Sequence, residues 1–127
     1  MVLEQALRQA NNAYKSRFVV KVGAHITFVP VEDVAYFFSE NKTVWLRRYS
    51  DGRKHAIDYT LEQLEELLQP ERFFRLNRKY IAAVEAISEA VAYSNSRLQV
   101  RLPGVSGQER ILVSRERVAA FKAWLDN

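Results

Sequence analysis

Between positions 17 and 59 the hydrophobic residues recur at every second position or in short blocks, in RFVVKVG, HITFVP, VAYFFSE, TVWLRRY and RKHAIDY. A period of two sends side chains alternately to two faces, so these segments predict short β-strands. Gly23 and Pro30 close the first two, and Val31-Glu32-Asp33 gives a short turn or helical wind. Asn41-Lys42 is a polar tip between the third and fourth strands. Asp51-Gly52 matches the positive-φ needs of a type I′ turn and predicts a tight hairpin that folds RKHAIDY back on TVWLRRY.

The period then lengthens. Leu61, Leu64, Leu67 and Leu68 form a buried stripe at helical spacing, Thr60 with Gln63 fits a capping box, and Pro70 stops the helix. Phe73 and Phe74 are expected to bury after that stop. RLNRKYIAA, AISEAVAY, RLQVRL and ERILVS predict further strands, with Pro103-Gly104 and Ser106-Gly107 in the loop between the last two. Ser114 is read as the N-cap of a closing helix in which Val118, Phe121, Trp124 and Leu125 share a face. At the other end, Leu3, Leu7, Ala10 and Tyr14 recur at spacings of 4, 3 and 4 and predict a helix over 2–14. This gives a mostly β domain of short antiparallel strands with one internal and one C-terminal helix, preceded by a helical stub.

Composition narrows the class. At 127 residues, 48% of them hydrophobic, the chain is one domain able to bury roughly two-thirds of its unfolded surface. It has no cysteine, so a disulfide framework and a thiolate metal site are excluded. No apolar run approaches the roughly 20 residues of a membrane span, and MVLEQALRQANNAY lacks a signal-peptide layout. A soluble cytoplasmic protein with no membrane partner is expected. Lys and Arg number 19 against 15 Asp and Glu, a formal charge of +4. Glu62, Glu65, Glu66 and Glu71 cluster, whereas 72–79 holds Arg72, Arg75, Arg78 and Lys79 with no acid. A second basic stretch contains Lys42, Arg47, Arg48, Arg53 and Lys54. Segregated positive charge favours an anionic partner such as nucleic acid.

Catalytic constellations are not found. His25 and His55 stand 30 residues apart, are read as surface strand residues, and suit no zinc site. GVSG at 104–107 is one residue short of a nucleophile elbow and lies in a hairpin loop, so it is read as a turn. The four glycines make no phosphate-binding loop, and Glu32-Asp33 only punctuate a wind. No catalytic residue, metal ligand or cofactor is therefore expected.

The basic segments offer more. If 75–81 were extended, Arg78 would face inward with Leu76 and Tyr80, at a desolvation cost. A turn around Asn77-Arg78 removes the conflict and presents Asn77, Arg78 and Lys79 at a loop tip. Arg and Asn suit guanine and adenine edges, and Lys suits phosphate. In VSRERV, Arg115 and Arg117 would sit in the first turn of the closing helix, where the dipole disfavours cations by about 0.3 to 1 kcal/mol each and an anion is welcome. The bland readings stand beside these: a solvated basic face, ordinary turn residues at 41–42, and arginines lying along a helix.

FVVKVGAHITFVPVEDVAYFFSENKTVWLRR, TLEQLEELLQPERFFRLNRKYIAAVEAI and RILVSRERVAAFKAWL, taken in order, resemble the LytTR DNA-binding domain of bacterial response regulators. The likeness spans about 17–125 and rests mainly on VEDVAYF, FFRLNRKYI and VSRERVAAFKAWL. It implies an elongated arrangement of short β-sheets whose loops enter successive major grooves without a recognition helix. By the same resemblance a base-contacting position falls on Arg78, flanked by Asn77 and by Lys79 as a phosphate contact. The family's serine-arginine motif falls on Ser114 and Arg115, and a further DNA-contacting loop on Asn41, Lys42 and Thr43. The family often reads valine-asparagine where this chain has Ala82-Ala83.

The expectation is a sequence-specific double-stranded DNA-binding domain, the output domain of a two-component transcriptional regulator. Residues 1–15 would be the remnant of a linker helix from a receiver domain absent here, and 16–127 the DNA-binding domain. Arg78 and Arg115 would read base edges or groove shape, Lys42, Lys79 and Arg117 would hold phosphates, and two copies would pair on promoter repeats by analogy with the family. Two rivals predict different surfaces. A single-strand binder needs Tyr36, Phe38, Trp45 or Tyr49 exposed in a row. A protein-interaction module with a merely solubilising basic surface needs no DNA at all.

Overall fold

The computed structural model describes residues 14–93, 96–105 and 109–127. The helix expected over 2–14 lies, apart from Tyr14, outside the described residues. The described residues form three antiparallel sheets and two helices. The first sheet pairs β1 (Arg17–Val22) with β2 (His25–Pro30). The second has the order β5-β4-β3-β7-β6, built from β3 (Val34–Glu40), β4 (Thr43–Arg48), β5 (Lys54–Ile57), β6 (Phe73–Arg75) and β7 (Tyr80–Ala83). The third pairs β8 (Glu89–Tyr93) with β9 (Arg97–Arg101), and β9 with β10 (Ile111–Leu112). Helices α1 (Leu61–Leu67) and α2 (Val118–Leu125) complete the fold.

β3 is central in the second sheet, and Val34 to Phe38 are buried without alternation. A strand covered on both faces reads as a continuous apolar run, as VAYFF does. Phe18 of β1 packs edge-on against Phe37 and Tyr59, with ring centroids 5.3 and 5.7 Å away, and so docks the first sheet. Leu61, Leu64 and Leu68 are buried as the stripe required. The capping box forms: Thr60 Oγ1 accepts the Gln63 N–H and Gln63 Oε1 accepts the Thr60 N–H. Phe74 lies against Phe121 and Trp124, and the Trp124 indole N–H donates to the Pro70 carbonyl at 2.9 Å. Leu125, expected on the buried face of α2, is 39% exposed because that contact ends at Trp124.

The turns differ from expectation in an informative way. The type I′ geometry occurs at Asn41-Lys42, where Glu40 pairs with Thr43 and both turn residues have positive φ, 53° and 65°. Around Asp51-Gly52 the connection is five residues, because β4 ends at Arg48 and β5 begins at Lys54. Asp33 holds this longer loop. Its carboxylate accepts the Arg48 guanidinium at 2.8 Å, and the Ser50 N–H and hydroxyl at 3.0 and 2.8 Å. His55, expected at the surface, is half-buried, with Nε2 enclosed and unpartnered.

Candidate nucleic-acid interface

The basic run 72–79 is shaped by a hairpin. Arg75 pairs with Ile81 across β6 and β7, and the Leu76 N–H donates to the Tyr80 carbonyl at 2.9 Å, which confines the reversal to 77–79. Asn77 closes that reversal with an acceptor placed as only a short side chain allows. Its Oδ1 accepts the Lys79 and Tyr80 N–H groups at 2.7 and 3.0 Å, and its Nδ2 donates to the Leu112 carbonyl at 2.8 Å. Asn77 is thus turned inward and Arg78 is exposed at the tip.

Arg75 lies beneath the loop and is only 8% exposed. Its Nε donates to the Asn77 carbonyl at 2.8 Å and its Nη2 to the Arg78 carbonyl at 3.0 Å. Its Nη1 meets Glu65 at 2.7 Å and Glu62 at 3.2 Å, one turn apart on α1. Sequence reasoning counted Arg75 among cations for an outside partner. The available signal was the Glu62/Glu65 spacing, which places two carboxylates on one helix face toward an inward arginine. Glu62 is held below the usual carboxylate range by its own backbone N–H and by Arg75.

Two further segments join this loop. The Ser114 N–H donates to the Leu76 carbonyl at 2.9 Å, which fixes the start of SRER beside Asn77. Ser114 does not cap an α-helix: Arg115–Arg117 form a 3-10 turn, the Ser114 hydroxyl makes no capping bond, and α2 starts at Val118. The expected first-turn arginines of an α-helix are therefore absent, and the two diverge. Arg115 is exposed, whereas Arg117 folds back, its Nη1 3.4 Å from the Arg75 carbonyl and 4.0 Å from Glu65. On the other side the Ser39 N–H donates to the Lys79 carbonyl at 2.9 Å, two residues before the Asn41-Lys42 tip.

Arg78 borders two hollows. One, of about 740 Å³, is also lined by Lys42, Thr43 and residues 57–63. The other, of about 390 Å³, is also lined by Asn77, Lys79, Ser114 and Arg117. Asn41 and Arg115 are exposed and line neither. Lys79 Nζ lies 3.5 Å from Glu109, whose carboxylate also accepts the Tyr80 hydroxyl. Burial, and then Glu109, push the Tyr80 phenol well above its ordinary pKa. The Lys79–Glu109 pair is solvated, and such a pair contributes about 1 kcal/mol or less, so a phosphate can recruit the ammonium.

Much of the second basic stretch is paired internally. Arg47 donates to the Tyr36 hydroxyl and the Gly52 carbonyl, Arg48 to Asp33, and Lys54 lies 3.6 Å from Glu40 and over the Trp45 ring. The aromatic row required of a single-strand binder does not form: Tyr36 and Phe38 are 1% and 5% exposed, Trp45 is half-buried, and of the four Tyr49 alone is exposed, at 37%. Among the described residues no cluster of His, Cys, Asp and Glu is arranged to hold a metal ion, and no helix is long and apolar enough to cross a membrane.

Three loops from distant parts of the chain, fastened to one another and carrying exposed cations, define a candidate surface for an anionic polymer. The sequence matches the model of the LytTr DNA-binding domain over residues 24–126, and the chain belongs to that family. It is 30% identical over 108 residues to a positive alginate biosynthesis regulatory protein of Pseudomonas aeruginosa, covering 85% of this chain and 42% of the relative. The chain thus spans about two-fifths of that protein's length. Its fold is similar to the LytTr DNA-binding domain of a putative methyl-accepting/DNA response regulator from Bacillus cereus, with a TM-score of 0.74 and 23% identity, covering 89% of this chain and 99% of that one. Ala82 and Ala83 are fully buried and so belong to the core.

Proposed function

We propose that this chain binds double-stranded DNA sequence-specifically, through loops set into the major groove, as the output domain of a bacterial two-component transcriptional regulator. The observation that carries the reading is the convergence of the 41–43, 77–79 and 114–117 segments on one hairpin whose tip is Arg78. Arg78 has the reach and the paired donors for a guanine edge, and Arg115 is the second candidate reader. The phosphate contacts are Lys42, which is exposed, and Lys79, which a phosphate can draw from its solvated pair with Glu109, with Thr43 beside Lys42. Asn77, Ser114 and Arg117 serve chiefly by holding the loops, given their inward bonds. Neither helix suits a groove: α1 is acidic, and α2 offers Lys122 as its cation. Within a longer regulator, residues 1–15 would connect to a receiver domain. The protein would work in the cytoplasm, with two copies pairing on promoter repeats.

Selection from random duplexes followed by sequencing should return a preferred motif. On that motif, Arg78→Ala should weaken binding by about 1 to 3 kcal/mol, with little change on random duplex. Equal losses on both duplexes would remove Arg78 as a base reader. Affinity for single strands matching that for duplex would overturn the groove reading.

A further inference from the structure

Arg75 has a place in the structure that base or phosphate contact does not explain. It is nearly buried, all three of its guanidinium nitrogens are engaged, and two of them grip the backbone carbonyls of Asn77 and Arg78. The third meets Glu62 and Glu65. Glu65 is also the carboxylate nearest Arg117, whose guanidinium in turn reaches the Arg75 carbonyl. One acidic side chain on α1 therefore bonds a cation beneath the 77–79 loop at 2.7 Å and lies 4.0 Å from a cation in the 115–117 turn.

We propose that Arg75 and Glu65 form a latch that sets the 77–79 and 115–117 loops at a fixed spacing, making them positioning residues for sequence discrimination. The inference rests on the DNA-reading function above. Base readout demands donor placement within a few tenths of an ångström, whereas attraction to phosphate tolerates loose geometry. A loosened latch should therefore reduce discrimination more than general DNA affinity. Arginine suits the task because its planar fork can reach two carbonyls and a carboxylate together, which the single ammonium of lysine cannot.

The sign of the effect separates positioning from charge. Glu65→Gln removes a negative charge near the surface, and simple electrostatics predicts tighter binding to every duplex. The latch predicts that preferred-motif affinity falls about tenfold while random-duplex affinity holds or rises. Glu71→Gln, the same charge change on an exposed residue beyond α1, should leave the ratio of the two affinities unaltered. Arg75→Lys keeps the charge and should lower that ratio as Glu65→Gln does. In the DNA-free protein, Arg75→Lys should also speed hydrogen exchange at the Lys79 and Tyr80 amides that Asn77 holds. Circular dichroism and thermal melts would establish that the variants are folded.

Unchanged amide exchange in Arg75→Lys overturns the latch whatever DNA does. So does an unchanged affinity ratio in a folded Arg75→Lys protein for which Arg78→Ala lowers it. If Arg78→Ala leaves the ratio unaltered but Arg75→Lys lowers it and speeds exchange, the latch stands and Arg78 is not the reader.

Discussion

Arg75 and Arg78 belong to one basic run, and a three-residue reversal sends one inward to Glu62 and Glu65 and the other out to solvent. Lys79 stands between those extremes, half-buried and paired with Glu109 across a solvated gap. Its predicted role is therefore different from that of Arg78. Lys79→Ala should weaken preferred and random duplexes about equally and reduce the slope of log affinity against log salt by about one unit. Because the free protein also loses its Glu109 partner, the remaining carboxylate adds a local repulsion, which sharpens the loss at low salt. Fluorescence anisotropy titrations at several salt concentrations would measure both terms. A slope identical to that of the unaltered protein would show that Lys79 touches no phosphate.

At the scale of elements, the Asn41-Lys42 turn carries strain at a proposed phosphate contact. Both residues adopt the left-handed conformation, which costs a non-glycine residue about 1 to 2 kcal/mol, least for Asn. Asn-Gly is the favoured type I′ pair, so the lysine is not the residue that the turn alone would choose. Lys42→Gly should raise stability by about 1 kcal/mol and at the same time weaken binding to all duplexes. Thermal unfolding and salt-dependent titration of the same variant test the two halves; a variant both more stable and equally tight would free Lys42 from any DNA role. The turns also mark the limit of what could be read from the chain. The capping box at Thr60 and Gln63 was legible because its partners lie three residues apart and meet in any helix started there. The hairpin at Asp51-Gly52 was legible, since β5 does pair back on β4, but its tight turn was not, because Asp33, some 15 to 17 positions earlier, binds Arg48 and Ser50 and stretches the connection. The same holds for Ser114, whose amide answers Leu76 just past β6 and starts a 3-10 turn in place of the expected helix. Strand periodicity and the Asn77-Arg78 turn were recoverable, since each resolves a local conflict. The inward roles of Asn77, Arg75 and Arg117 were not, since each depends on a partner that only folding brings near.

For the molecule as a whole, the perturbed titrating groups set a pH window of stability. Partial burial opposes ionisation of Asp33, but hydrogen bonds from Arg48 and Ser50 outweigh it and hold its carboxyl below the ordinary 3.8. Glu62 lies below its ordinary 4.5 through its backbone N–H and Arg75. His55 is depressed below 6.5, first by burial and then by Arg48. A group with a depressed folded pKa binds its proton more weakly when folded, so its contribution is complete above the ordinary pKa and declines as pH falls. His55 therefore acts first, and the two carboxylates add their loss below about pH 4.5. At the alkaline end the sign reverses. Tyr49 is pushed up to about 12 by burial and Glu85, and burial also raises Tyr36 and Tyr80. These phenols keep their protons in the folded state, so their contribution is complete below the ordinary 10.0 and is lost as pH rises through the folded values. The melting temperature should accordingly be level from about pH 7 to about pH 9.5 and fall on both sides. His55→Gln should remove the decline that sets in as pH falls through the ordinary imidazole value of 6.5, while leaving the steeper one at carboxylate pH. A wild-type melting temperature that stayed constant through that imidazole range would mean that the half-buried imidazole of His55 gains a proton as readily in the folded domain as in the unfolded chain.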